Sequence, residues 1–267
     1  ESVDDTNEDW RLEKVSYGAA YNRERIPAYL YLPRNAKPPY QAVIWFPGRY
    51  AMELHNSESS PLNQFFNFLP RTGRAVLYPV YKGTFERRSA VPGKGPNAFR
   101  DEMVLYAKDL SRSIDYLESR PDIQGSNLAY YGLSTGGFFG TIFLAVEPRF
   151  KAGIFAAGGL FRDKTAPEVD TFNFAPRVRT PVLLLNGRYD FYEPPQLQEA
   201  LFRSLGQLKL SNDGTTPALV QAWIDSGAEC PAEEIKRRSS SPSTASRARS
   251  MPTRTCRSSG CCATCSG

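Results

Sequence analysis

The sequence predicts an α/β protein: a mainly parallel central sheet with helices on both faces. Three observations carry this reading. Short continuously apolar runs recur along the chain, and such runs read as strands buried on both faces. Helix-period stretches alternate with them, the pattern that covers both faces of a parallel sheet. A serine between two glycines stands where one apolar run meets one helical stretch.

The elements follow in order. Leu12 to Tyr17 and Ile26 to Leu32 read as strands, with Ala28, Leu30 and Leu32 alternating with Tyr29 and Tyr31. Pro33-Arg34-Asn35 and Pro38-Pro39 close this pair, an antiparallel addition at one sheet edge. Ala42 to Phe46 (AVIWF) is a central strand ending at Pro47-Gly48, and Ala75 to Val80 is another. Leu62 to Leu69 reads as a short helix stopped near Pro70 and Gly73. Asn97 to Arg120 is the best-patterned helix, because Met103, Ala107, Leu110, Ile114 and Leu117 fall on one stripe. Asp101 and Glu102 sit early in it and Arg120 late, which suits the helix dipole, and Pro121 ends it. Ala152 to Ala157 is a strand, residues 160–180 read as loop, and Pro181 to Leu185 is a strand closed by Asn186-Gly187. Pro194 to Leu205 reads as a helix capped by Gly206.

The stretch Asn127 to Phe143 reads NLAYYGLSTGGFFGTIF. Its apolar run leads into Gly132-Leu133-Ser134-Thr135-Gly136, a G-x-S-x-G turn with a helix behind it. A serine at so sharp a turn holds a strained backbone, and side chains two residues away on either side would collide. The predicted role of Ser134 is nucleophile. Asp190, just past the strand PVLLL, is the acid that would orient a base, with Glu193 as the fallback. The oxyanion donors are predicted to be the N–H groups of Thr135 and of Arg49, which follows Phe46-Pro47-Gly48. The base itself is not identified. No histidine follows Asp190; the one histidine, His55, reads as a loop residue, because a base needs a fixed partner in the acid.

Composition bounds the alternatives. The 267 residues suffice for one large domain or two small ones, and 41% apolar and 23% charged residues suit a globular chain. No run of eighteen apolar residues exists, so no membrane span and no membrane partner are expected. The chain opens at Glu1 without a signal-peptide pattern, which fits a fragment of a longer protein and a cytoplasmic default. No internal repeat and no phosphate-binding loop occur; Gly93-Lys94-Gly95-Pro96 lacks a preceding strand, and no cofactor is expected. Net charge is +5, unevenly spread: beyond Ile235 lie seven of the 33 basic residues and none of the 28 acidic ones. All five cysteines, Cys230, Cys256, Cys261, Cys262 and Cys265, lie at the same end. Their spacing lacks the two C-x₂-C pairs of a zinc site, and no metal is expected. No aromatic residue interleaves the basic ones, so nucleic acid is not an expected partner. The expected partner is a small-molecule ester or peptide substrate. Nothing in the sequence sets the oligomeric state.

The chain from about Leu12 to Gly206 resembles the α/β-hydrolase superfamily. It is most similar to the branch of dienelactone hydrolases and prolyl oligopeptidase catalytic domains, including acetyl-xylan-esterase-like domains at the C-terminal end of large bacterial proteins. The resemblance rests on AYLYLP at 28–33, AVIWFPG at 42–48, AVLYPVYKGTFERR at 75–88, DLSRSIDYLESRPDI at 109–123, LAYYGLSTGG at 128–137 and FAPRVRTPVLLLNGRYDF at 174–191. It implies a nucleophile at Ser134, an acid at Asp190, and a histidine in a D-S-G-H loop before a last amphipathic helix. Here Asp225-Ser226-Gly227 is followed by Ala228. Some such proteins carry a protein kinase module and a β-propeller upstream.

After Gly227 the family pattern disappears. Residues 236–267 hold nine serines and a single large apolar side chain, Met251, with no structural period. They read either as a natural disordered basic tail or, preferably, as a reading-frame shift somewhere after Gly206. The expected organisation is therefore an N-terminal extension at 1–11 and the α/β domain at 12–206. A disrupted domain end at 207–235 follows, with the final strand and helix missing or disrupted, and then the tail at 236–267. Three functional readings remain open: a serine hydrolase domain impaired by its absent histidine, a non-catalytic binding module of the same fold, and a fragment of a larger protein such as one with a kinase module.

Overall fold

The computed structural model describes residues 2–212 except 59–61, 91–94, 96, 188, 191, 207 and 208. The five cysteines, Asp225-Ser226-Gly227 and the basic tail lie outside the described residues, as does most of Gly93-Lys94-Gly95-Pro96.

The strands are β1 (Ser2–Asp4), β2 (Trp10–Gly18), β3 (Arg25–Pro33), β4 (Tyr40–Phe46), β5 (Ala75–Pro79), β6 (Ile123–Leu133), β7 (Phe150–Ala156), β8 (Val182–Leu185) and β9 (Lys209–Asn212). The helices are α1 (Tyr50–Glu53), α2 (Phe68–Arg71), α3 (Ala98–Glu118), α4 (Thr135–Val146), α5 (Thr171–Phe174) and α6 (Pro195–Ser204). The strands form one sheet in the order β1-β2-β3-β5-β4-β6-β7-β8-β9. Pairing is antiparallel from β1 to β5 across β2 and β3, and parallel from β5 onward. The antiparallel addition predicted at one edge is present, one strand larger through β1.

The order fixes where a site can form. The chain runs from β4 to β5 on one side, then crosses to β6 on the other. Connections leaving β4 and β6 therefore diverge, and a crevice opens beyond their carboxyl ends. Both strands are buried on both faces. Ala42, Ile44 and Phe46 face a core shared with Met103, Tyr106, Leu110, Ile114 and Leu117 of α3 and with Phe139 and Phe143 of α4. Val43 and Trp45 face the opposite layer, with Phe66, Leu69, Tyr78 and Tyr131. This two-sided burial is why AVIWF carries no polar alternation.

Three departures from the sequence reading have physical reasons. Leu62 to Leu69 is not one helix but a 3-10 turn at Leu62–Phe65 followed by α2. Pro70 does not stop α2; it lies in the first turn, where a missing N–H costs nothing. The loop 160–180 contains α5, begun by Asp170, whose side chain accepts from the N–H of Phe172 at 3.0 Å. Beyond Gly206 the backbone adds β9, parallel to β8. Strand pairing uses backbone groups alone, so four residues without an amphipathic period still cover an open edge.

Helix α3 also buries two polar residues within its apolar stripe, Asp109 and Ser113. Asp109 accepts from Arg87 at 2.6 Å, from the Tyr21 hydroxyl at 2.6 Å and from the Lys82 backbone N–H at 2.8 Å. Arg87 also donates to the Val80 carbonyl at 2.7 Å. The segment leaving the carboxyl end of β5 is thus tied to α3 through a buried, hydrogen-bonded ion pair.

Candidate active site

Ser134 stands between the last residue of β6 and the first of α4, with φ 50° and ψ −110°. Few residues with a side chain adopt a positive φ, and here the surroundings impose it. The Ser134 N–H donates to the Ala156 carbonyl on β7 at 2.7 Å, and its carbonyl accepts from Phe138 at 3.0 Å. The Gly136 N–H reaches across to the Pro47 carbonyl at 3.2 Å. A Cβ on Gly132 would overlap the backbone of Gly136, and one on Gly136 would overlap the Phe46 carbonyl. The glycines flanking the serine are therefore demanded by close backbone approach, the reason given from sequence.

The loop leaving β4 lies against this turn. A Cβ on Gly48 would stand 3.5 Å from the Ser134 Cβ. Arg49 follows, its guanidinium paired with Glu53 at 3.2 Å. Arg49, Ser134, Thr135 and Asp190 line one cavity of about 790 Å³. Asp190 is held by its own turn: its Oδ1 accepts from the N–H groups of Tyr192 at 2.9 Å and Glu193 at 3.2 Å. Its N–H donates to the Gly187 carbonyl at 3.2 Å. Asn186 fastens the start of that turn to the loop after β7, exchanging two hydrogen bonds with Gly158 at 3.0 and 2.9 Å.

Glu193 also lines the cavity, although it is only 2% exposed. It packs against Gly159, and its Oε1 has no hydrogen-bond partner. Burial pushes its carboxyl up to about 7, opposed by Arg162 and reinforced by the charge of Asp190. His55 is elsewhere. It is exposed in the loop after α1, with its Nε2 3.2 Å from Arg88 Nη1, and it is not among the cavity-lining residues. The structure thus brings Ser134, Thr135, Arg49, Asp190 and Glu193 together and leaves His55 outside.

Sequence reasoning missed the aromatic lining. Phe138, Phe139 and Phe161 line the cavity, and Tyr192 stands at its rim, 78% exposed. Phe138 was visible as a residue four positions after the serine, hence on the same helix face. Phe161 gave no signal, since it sits in an irregular loop. Among the described residues, no group of three or more His, Cys, Asp or Glu is arranged to hold a metal, and no helix is long and apolar enough to cross a membrane.

This architecture is the α/β-hydrolase fold, of the kind seen in acetyl xylan esterases and dienelactone hydrolases. The acetyl xylan esterase of Paenibacillus sp. R4 superposes with a TM-score of 0.64 at 16% identity, covering 85% of this chain and 87% of that one. The dienelactone hydrolase of Anabaena variabilis ATCC 29413 superposes with a TM-score of 0.58 at 21% identity, covering 82% and 98%. In sequence, the chain is 27% identical over 143 residues to the "Putative hydrolase YtaP" of Bacillus subtilis (strain 168). That match takes in 48% of this chain and 46% of the relative, about half of each. No family model matches the chain.

Proposed function

We propose that this chain is a serine hydrolase domain acting on an ester or peptide-like acyl bond, with activity reduced by the lack of a histidine base. The observation that carries the reading is the strained Ser134 lining one cavity together with Asp190. The hydrolase and esterase names of the relatives point the same way.

In this reading Ser134 Oγ attacks the acyl carbon. The N–H groups of Thr135 and Arg49 take the negative charge that develops on the carbonyl oxygen. The α4 N-terminus adds its positive dipole end at the same place. Asp190 is the acid that would orient an imidazole and stabilise it once protonated. That imidazole would take the serine proton and return it to the leaving group. The sequence has one histidine, and it lies beside Arg88 outside the cavity. Attack then proceeds with Ser134 still protonated, and nothing protonates the leaving group. That same observation favours the second reading, a non-catalytic binding module of this fold.

The test is p-nitrophenyl ester hydrolysis by two versions of the chain, one as it stands and one continued after residue 206 in the alternative reading frame. A rate at least about 10³-fold higher in the second supports an impaired hydrolase. Equal, measurable rates would mean that a base is already present, and His55→Ala would show whether His55 supplies it. No Ser134-dependent turnover in either version would favour the binding module.

A further inference from the structure

The cavity beside Ser134 has a chemical character of its own. Phe138 and Phe161 stack with centroids 6.0 Å apart and planes 15° from parallel. Phe161 also meets Phe139 edge-on at 6.2 Å and Phe99 edge-on at 5.7 Å. Its backbone N–H is fixed to the buried Thr171 hydroxyl at 3.0 Å. The wall is therefore held by ring contacts on one side and a backbone anchor on the other, and little side-chain entropy is lost when a ligand meets it. Phe138 and Phe161 are half-buried, and the cavity draws on the surface they keep. Charge is distributed differently. Glu53, Asp163, Asp190 and Glu193 line the cavity against two cations, Arg49 and Arg162. Arg49 is paired with Glu53, and Arg162 donates to the Tyr192 carbonyl at 2.6 Å.

We propose that this cavity selects uncharged compounds bearing an aryl or arylalkyl acyl group, over small acyl compounds and over carboxylates. An aryl ring set against Phe138 and Phe161 gains apolar burial and edge-to-face contact that an acetyl or propionyl group cannot reach. A ligand carboxylate would enter a cavity in which lining carboxyl groups outnumber guanidinium groups, and would meet repulsion that an amide, which can use the same Thr135 and Arg49 N–H groups, does not. The proposal names the substrate class of the hydrolase reading above, but the binding preference itself requires no turnover.

The test is equilibrium binding to the full chain, followed by ligand-observed NMR. The probes are 3-phenylpropanamide, propanamide and 3-phenylpropanoate. 3-Phenylpropanamide is expected to bind about tenfold tighter than propanamide and several-fold tighter than 3-phenylpropanoate. Phe161→Ala should remove most of the aryl preference, and Asp163→Lys should narrow the gap to the carboxylate. Phe161→Leu, which keeps bulk without the ring, serves if the alanine variant fails to fold by circular dichroism. Ser134→Trp, which adds a large side chain to the cavity lining, should weaken the binding of 3-phenylpropanamide. Equal affinities, tighter binding of the carboxylate, no binding of any probe, or a preference that survives both Phe161→Leu and Ser134→Trp would overturn the proposal. The hydrolase reading fails separately, if ester turnover is unchanged in Ser134→Ala while probe binding persists.

Discussion

The two halves of the candidate site are built by opposite means. Ser134 is held by backbone against backbone: β6, β7, the β4 loop and the first turn of α4 approach so closely that Gly132 and Gly136 admit no side chain. Asp190 is held by its own turn, through N–H groups two and three residues ahead, and is half exposed. The position of Ser134 is thus a property of the whole sheet, whereas that of Asp190 is local. Steric demand leaves a strict trace in sequence, because only glycine satisfies it. A local turn leaves a loose one, because many residues can build it.

That contrast can be broken or sharpened by mutation. The largest effect is expected at Gly136→Ala, whose Cβ would overlap the Phe46 carbonyl, with no flexible side-chain end to yield. Urea unfolding should show a loss of about 3 kcal/mol or more. A change under about 1 kcal/mol would mean that the turn at Ser134 is far softer than its contacts imply.

Glu193, which lines the same cavity, should give a pH-dependent effect of intermediate size. Its folded carboxyl titrates near 7, above the ordinary glutamate value of 4.5. The folded state therefore binds more protons between those values, and stability falls as pH rises from about 4.5 to 7. Glu193→Gln removes that loss. Thermal unfolding should show little difference from the parent at pH 4 and a variant more stable by about 1–3 kcal/mol at pH 8. A variant less stable at pH 8 would mean that the carboxylate has a partner there.

Asp190→Asn is expected to have the smallest effect on the fold. The amide oxygen can still accept from Tyr192 and Glu193, so unfolding should change by about 1 kcal/mol or less. Ester turnover with the alternative frame restored should nonetheless fall by orders of magnitude. Retained turnover would move the acid to Glu193.

The same distinction decides what was legible in the sequence. Buried strands such as AVIWF and PVLLL were legible because two-sided burial excludes polar residues. Helix α3 was legible from its stripe, yet Asp109 and Ser113 within it were not expected to be buried. Their partners Tyr17, Tyr21 and Arg87 are distant in sequence, and only the fold brings them together. β1 and β9 were missed because edge pairing needs backbone groups and no side-chain pattern. That Ser134, Thr135, Arg49 and Asp190 would gather at one cavity was readable from their places after strands. The cavity's aromatic wall was not, because Phe161 reaches it from a loop whose path no local pattern sets.

The most direct test of the central claim is covalent. The chain would be treated with a fluorophosphonate for an extended time, since a serine without its base reacts slowly. The modified residue would then be mapped by mass spectrometry. One slow adduct is expected, on the peptide carrying Gly132-Leu133-Ser134-Thr135-Gly136, absent in Ser134→Ala and faster with the alternative frame restored. An adduct on another residue, or equal labelling of Ser134→Ala, would contradict it.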